Sequence, residues 1–300
     1  MTDWLAVDWG TSHLRVWGMS RAGAVKFRKT SDAGMGTLTR DGFEPALLDL
    51  VGDTLGTGTS PVIVCGMAGS RQGWAEAKYM AAPCAPPGID RATYVPTRDA
   101  RLSIHILPGV KQTTPADVMR GEETQIAGFL SLNPKFDGII CLPGTHTKWA
   151  HISAGEIVSF RTFMTGELFA LLEQASVLRH SVTGGDWDDG AFAGAVDDVI
   201  SRPATVAADL FSVRAAALLD GTGSGASRAR LSGLLIGLEL AGARPYWLGQ
   251  DIRVVGAGGI AGAYRDALAA QGASVATVAG DGMVLRGLRA AYDTLHEAAP

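Results

Sequence analysis

Two segments of this chain repeat one another. LAVDWGTSHLRVW near the start and IICLPGTHTKWAHI near the middle each read as an apolar strand, a Gly-Thr-polar turn and a second strand. Thr11 and Thr145 hold matching places, 134 positions apart. Such self-similarity bears on the fold before any single element does, and here it predicts a duplicated α/β lobe, each copy opening on a β-hairpin. Two small hairpins can also look alike by chance, so the surrounding pattern matters. Apolar runs predict strands over 4–7, 14–19, 24–28, 62–65 and 104–107, with a helix over 43–55 from the spacing of Phe43, Leu47, Leu50, Val51 and Leu55. From about Pro115 the pattern restarts. It gives a helix over 120–132, strands over 138–142, 149–152 and 156–160, several helices from about residue 167, and a last strand–helix–strand–helix unit from Ile252. Residues 1–114 and 115–300 are therefore expected to form an N-terminal and a C-terminal lobe.

Composition narrows the class. A chain of 300 residues, 47% hydrophobic and 19% charged, can bury its cores without metals or disulfides. Its net charge of −4 argues against a nucleic-acid partner, which would call for a basic face. Cys65, Cys84 and Cys141 are odd in number and far apart, with no CxxC or Cys/His metal spacing, so they read as reduced thiols of a cytoplasmic protein. MTDWLAVDWG does not read as a signal peptide, and no run of ~18 apolar residues predicts a membrane partner. The nearest run, LSGLLIGLELAGA, carries Glu239. The sequence is silent on oligomeric state and leaves a homodimer open.

Four segments could carry chemistry. In the first hairpin, Asp8 closes an apolar strand, Gly10 lets a ligand approach the backbone, and Thr11 and Ser12 add hydroxyl and N–H donors. That set suits phosphate oxygens with a hydrated Mg²⁺, although Asp-x-Gly is also an ordinary turn. The second turn, Gly144-Thr145-His146 with Lys148 beyond it, repeats the composition without the carboxylate, Leu142 standing where Asp8 does. VVGAGGIA, with Gly256, Gly258 and Gly259, would let an adenine or a phosphate lie against backbone at a helix start. It also matches the GxGxxA dinucleotide fingerprint, with Asp281 where a ribose acid belongs. Only 19 residues follow Asp281, too few for the remaining strands of a dinucleotide fold, so that reading is rejected. Finally, Glu122 and Glu123 open a helix, where acids either complement the dipole or accept a proton. No GxxxxGK[ST] loop, HExxH, GxSxG elbow or protein-kinase HRD or DFG set is present.

In this order the segments resemble the actin/hexokinase-like ATPase superfamily. More closely, VDWGTSHLRVW, CGMAGSRQGW, RGEETQIAG, LPGTHTKWAHI and FMTGELFALL resemble the 2-dehydro-3-deoxygalactonokinase family, from the first strand to about residue 172. The resemblance implies an α/β fold of two ribonuclease-H-like lobes with an active-site cleft between them. It implies ATP and Mg²⁺, with Asp8 near the metal, both turns on the phosphates and the Gly-rich turn at the adenosine. RLSGLLIGLELAG and GDGMVLRGLRAA would be the connecting helices at the hinge. In related carbohydrate kinases a Gly-Asp-Gln-type segment before the second hairpin supplies the base. Gly121-Glu122-Glu123 stands there, so Glu122 is expected to be the base; Glu for Asp is a departure, and it leaves Glu123 as the alternative and Glu167 behind it. The acceptor would be a 2-keto-3-deoxy sugar acid phosphorylated at its C6 hydroxyl. Its carboxylate needs a cation, and Arg is suited to it. Arg71 is the expected clamp, with Arg15 and Arg161 as alternatives and Met67, Ser70 and Trp74 walling the pocket. A nucleotide-driven switch would need a further module for which 300 residues leave no room, and a polyphosphate hydrolase would need a basic channel.

Overall fold

In the computed structural model, which describes residues 2–297, strand β1 (Trp4–Trp9) is apolar on both faces because both are covered. Side chains alternate along a strand. Leu5, Val7 and Trp9 join one core, with Phe43, Leu47 and Val51 of α1 (Phe43–Val51), while Trp4 and Ala6 join another. The strand reaches two residues beyond the expected end, since Asp8 is paired on both sides. It lies opposite Arg15 of β2 (Leu14–Met19) and opposite Cys65 of β4 (Ser60–Gly66), with β3 (Val25–Ser31) outside β2. After β5 (Met80–Ala81), β6 (Thr93–Val95) and β7 (Leu102–Ile106) come β8 (Val110–Thr113), β9 (Ala116–Met119) and α2 (Glu122–Leu132). The main sheet has the order β3-β2-β1-β4-β7-β6, and β5-β8-β9 form a small separate one.

The second stretch repeats this order. β10 (Gly138–Leu142), β11 (Thr147–Ser153) and β12 (Glu156–Phe163) precede α3 (Thr165–Ala175), α4 (Asp189–Ser201), α5 (Val206–Leu219), α6 (Ser224–Gly242) and α7 (Arg244–Trp247). Then come β13 (Asp251–Gly256), α8 (Gly258–Ala270), β14 (Ser274–Ala279) and α9 (Met283–Glu297). The sheet order β12-β11-β10-β13-β14 matches β3-β2-β1-β4-β7 strand for strand, and β10–β13 is parallel as β1–β4 is. Ile139 and Cys141, which stand 134 positions after Leu5 and Val7, likewise face the main core of their sheet, against α4, α6 and α8. The duplication read from the two hairpins thus extends to whole sheets.

The chain forms two compact units, and their borders differ from those expected. One runs to Asp137, takes in Ile152–Ser159 and resumes at Ala279; the other holds Gly138–His151 and Phe160–Val278. Helix α2 belongs to the first because it packs on α9, glycine against backbone. A Cβ on Gly128 would lie 1.9 Å from the Met283 carbonyl oxygen, and one on Gly287 would lie 1.9 Å from that of Thr124. In the second unit α6 packs on α4 the same way, with Gly233 against the Phe192 carbonyl. The two helices expected at a hinge each have a partner inside one unit. Among the described residues no helix is long and apolar enough to cross a membrane. The Asp281 side chain lies outside the described residues.

Candidate active site

In the first unit the even-numbered face of β1 carries Asp8 toward the start of α2. Its Oδ1 lies 3.9 Å from the Cys65 Sγ and its Oδ2 3.5 Å from Arg15 Nη1. Burial pushes the Asp8 pKa up, Arg15 and the Cys65 contact pull it back, and the charge of Glu122 raises it again, which places Glu122 within its field. Two glycines make this approach possible. Gly66, at φ 88°, brings its Cα so close that a Cβ would lie 2.7 Å from the Trp9 carbonyl oxygen and 3.4 Å from Asp8 Oδ1. Gly121, at φ 110°, lies against Gly66 and turns the chain into α2.

The adjacent acids then separate. Glu123 is 1% exposed; its carboxylate accepts from the Gly121 N–H at 2.7 and 2.9 Å and from Thr124 Oγ1 at 3.1 Å. Burial, then the neighbouring Glu122, raise its pKa to about 7. Glu122 is half-buried, and its Oε2 accepts from the Arg120 N–H at 3.0 Å.

The first turn is shaped by the chain beneath it. Met35 and Gly36 donate to the carbonyls of Gly10 and Thr11 at 3.0 and 2.9 Å, while Thr11 and Ser12 stay exposed. The residues expected around the sugar acid divide. Met67 is half-buried, Arg71 is exposed, and Ser70 is buried with an Oγ that has no hydrogen-bond partner. Trp74 is no pocket wall: its ring packs in the core against Trp9 and Phe43, at centroid distances of 5.7 and 5.9 Å. Arg15 is taken by Asp8, and Arg161 is an exposed residue of β12 in the other unit.

In the second unit Gly144, Thr145 and His146 form an exposed turn, whereas Lys148 lies buried within β11. The start of α3 closes on that turn. Gly166 fits only as glycine, its Cβ position falling 2.2 Å from the Gly144 carbonyl oxygen, and the Glu167 N–H donates to that of Thr145 at 2.9 Å. Glu167 Oε2 meets His146 Nε2 at 2.5 Å. Beside the turn lies a cavity of about 740 Å³, whose lining includes Gly144, Gly166, Phe169, Trp187, Ile236 and Ile260. Gly259 and Gly262 of α8 line it with bare backbone, and nothing lies within 4 Å of where their Cβ atoms would be. Gly258 supplies the left-handed turn at φ 66°, and Gly256 packs beside Pro143 behind it. The cavity lining mixes its apolar side chains with charged ones, Asp189, Asp197, Arg228 and Asp266.

A family model described as 2-keto-3-deoxy-galactonokinase matches residues 8–291. The chain belongs to that family. It is 43% identical over 293 residues to a Rhizobium meliloti (strain 1021) protein named as a 2-dehydro-3-deoxygalactonokinase, over 95% of each chain. It is 34% identical over 290 residues to the Escherichia coli (strain K12) 2-dehydro-3-deoxygalactonokinase, over 95% of this chain and 96% of that one. A Sinorhizobium meliloti crystal structure named likewise superimposes with a TM-score of 0.91 at 41% identity, covering 97% of this chain and 99% of that one. The activator of the 2-hydroxyisocaproyl-CoA dehydratase from Clostridium difficile, 13% identical with a TM-score of 0.50 over 100% and 99% of the two chains, shares the fold. That fold is the actin/hexokinase-like ATPase fold.

Sequence reasoning missed several residues of this family member. Cys65 closed a strand that read as plain core, and Gly66 stood in a quoted segment without a role of its own. Arg120 stood inside a quoted motif without a role. Its guanidinium lies 4.3 Å from the Tyr79 ring centroid and donates from Nη2 to the Ala77 carbonyl at 2.8 Å. It fills the space a side chain on Gly69 would need, and so braces the 67–74 loop from below. Trp187 and Phe169 come from separate segments, and no local pattern joins them.

Proposed function

We propose that this chain transfers the γ-phosphoryl of ATP to the C6 hydroxyl of 2-dehydro-3-deoxy-D-galactonate, giving 2-dehydro-3-deoxy-6-phospho-D-galactonate and ADP. The observation that carries this reading is Glu122, a half-buried carboxylate in the field of Asp8, in a chain whose family match spans residues 8–291. Phosphoryl transfer asks a protein for positioning and charge more than for covalent chemistry. Glu122 accepts the proton of the attacking hydroxyl while that oxygen bonds to phosphorus and the bond to the ADP oxygen breaks. Thr11 and Ser12, with Gly144, Thr145 and His146, offer N–H and side-chain donors to the phosphates, while Gly10, whose N–H donates to the His13 carbonyl at 2.9 Å, leaves room for their approach. The cavity beside Gly259 takes the nucleoside, on a turn shaped by Gly256 and Gly258. Lys148, buried in β11 just after the second turn, is the cation on this side for the phosphate charge. Arg71 pairs with the acceptor's carboxylate, beside Ser70 and Met67, with Arg161 as the alternative cation.

The donor set also fits Mg²⁺ arriving with the nucleotide. Asp8 is a single, partly exposed carboxylate, and among the described residues no group of three or more His, Cys, Asp or Glu could hold a metal by itself. Mg²⁺ keeps several waters and takes one or two carboxylates plus phosphate oxygens. When bound it neutralises phosphate charge. Three unpaired, buried cysteines agree with a cytoplasmic setting, where ATP is found.

The test is ADP release with ATP, Mg²⁺ and a panel of acceptors: 2-keto-3-deoxygalactonate, its gluconate epimer, galactonate and 2-deoxygalactose. The 2-keto-3-deoxy acid of galacto configuration should give the highest kcat/KM, with little ATP consumed in its absence. Equal ATP hydrolysis without any acceptor, or preference for the sugar lacking a carboxylate, would overturn the reading.

A further inference from the structure

The mechanism above leaves one buried acid unused. Glu239, on α6, is 1% exposed and interrupts the apolar run LSGLLIGLELAG. Its Oε1 accepts from the Trp149 indole N–H of β11 at 2.7 Å. Its Oε2 accepts from the Tyr264 hydroxyl of α8 at 2.7 Å and from the Thr165 hydroxyl at the start of α3. Tyr264 in turn lies 3.0 Å from Thr147 Oγ1, in the first residue of β11. Four elements therefore meet on one carboxylate, and two of the side chains it holds, Thr165 and Tyr264, line the 740 Å³ cavity.

Donor arithmetic fixes the direction of this network. An ionised carboxylate only accepts, and a phenol has one proton. If Tyr264 donates to Glu239, the Thr147 proton goes to Tyr264 or to Glu239 itself, and its hydroxyl has none left for a phosphate. The hydroxyl of the second turn that can donate outward is then that of Thr145, which is exposed. Thr165 also precedes Gly166 and Glu167, the residues that fit against the Gly144 and Thr145 carbonyls. Glu239 thus reaches the turn by two routes, through β11 and through the start of α3. Burial raises its pKa, and the hydroxyl and indole donors work against that rise. A buried carboxylate is a poor choice for packing alone, since an apolar side chain of similar size commonly does as well.

We propose that Glu239 is a positioning residue for the nucleotide: as an acceptor of protons directed inward, it holds the cavity walls at Thr165 and Tyr264 and the shape of the 144–146 turn. The assignment rests on the reading that this cavity and turn take ATP. It predicts an effect on nucleotide affinity that loss of packing alone would not give. Glu239→Gln keeps size but replaces one acceptor oxygen by a donor, so either Tyr264 and Thr165 must both turn round or the Trp149 N–H, which can only donate, loses its acceptor.

The experiment is calorimetric binding of ADP with Mg²⁺ to the whole chain, beside thermal unfolding and steady-state kinetics. Glu239→Gln should weaken ADP about 10–100-fold, the scale on which outer-sphere partners act elsewhere. It should raise the ATP KM similarly, with kcat and the sugar-acid KM within about threefold at saturating ATP. Tyr264→Phe should weaken ADP by a smaller factor, and the double variant should be no worse than Glu239→Gln alone, because both act through one network. ADP affinity within twofold of wild type, with only a lowered unfolding temperature, would reduce Glu239 to a packing role and overturn the proposal. Should Glu239→Gln fail to fold, unchanged ADP affinity in Tyr264→Phe overturns it equally. Wild-type protein that binds no ADP sinks the nucleotide-site reading itself, and this assignment with it.

Discussion

Glu122 and Glu123 show how much one position on a helix decides. Successive side chains point about 100° apart, so one carboxylate turns in to the Gly121 N–H while the other stays half-buried near Asp8. Glu122→Gln should lower kcat about 10²–10⁴-fold with KM little changed. Glu123→Gln should keep kcat within a few-fold and change stability instead; the reverse pattern in steady-state kinetics would move the base to Glu123. The pH dependence has a definite sign. Glu123 has a folded-state pKa of about 7 against an ordinary 4.5, so its contribution is present below pH 4.5 and is lost as pH rises toward 7. Across that window the stability of Glu123→Gln relative to wild type should rise by up to about 3 kcal/mol, readable in denaturant titrations at both ends. Asp8→Asn tests the neighbouring role. It should slow turnover about 10²–10⁴-fold without lowering the unfolding temperature, because burial already disfavours the charge that Asn lacks. Normal turnover at saturating Mg²⁺ would remove Asp8 from the site.

At the scale of elements, the decisive residues are glycines that let backbones touch. Gly→Ala inside a helix ordinarily gains about 1 kcal/mol. Gly194 of α4 is exposed with nothing within 4 Å of its Cβ position, and Gly194→Ala should follow that rule. Gly128→Ala and Gly287→Ala should do the opposite and destabilise by about 1–3 kcal/mol, since each new methyl would lie 1.9 Å from a backbone oxygen of the facing helix. Equal behaviour of all three in chemical denaturation would mean that α2 and α9 do not touch as described. This contact was not legible in the sequence, because a helical glycine looks the same whether it faces water or a neighbouring carbonyl. The strands were legible, since β1, β4 and β10 are continuous apolar runs covered on both faces. The sheet β5-β8-β9 was not, its strands being two to four residues long and partly exposed. Trp74 misled for a related reason: glycines and serines around it resemble a pocket rim, yet its ring is drawn into the Trp9–Phe43 core.

At the scale of the whole chain, the repeat was legible and its borders were not. The turns at Gly10 and Gly144, where phosphates are proposed to bind, announce themselves by composition, because glycines and hydroxyl residues stand together there in the sequence. The cavity walls do not, because Phe169, Trp187 and Gly259 lie far apart in sequence and meet only in the fold. The unit borders follow from α9, the last helix, which returns to cover the first sheet. Trp4 stacks on Tyr292 at a centroid distance of 4.2 Å, and Leu288, fully buried, packs in the same core as Met19 and Ile63. A fragment cut at residue 114, where the sequence pattern restarts, therefore lacks both α2 and α9 and leaves that face of the sheet uncovered. Removing one buried leucine side chain costs about 2–5 kcal/mol, and a domain holds only about 5–15 kcal/mol in all. Fragment 1–114 should consequently show no cooperative unfolding by circular dichroism and should bind hydrophobic dyes. Adding back residues 115–137 alone should not rescue it, because Val284, Leu288 and Tyr292 would still be missing. A cooperative transition in the 114-residue piece would mean that the α1-side core suffices, and that α9 is an accessory to this unit rather than part of it.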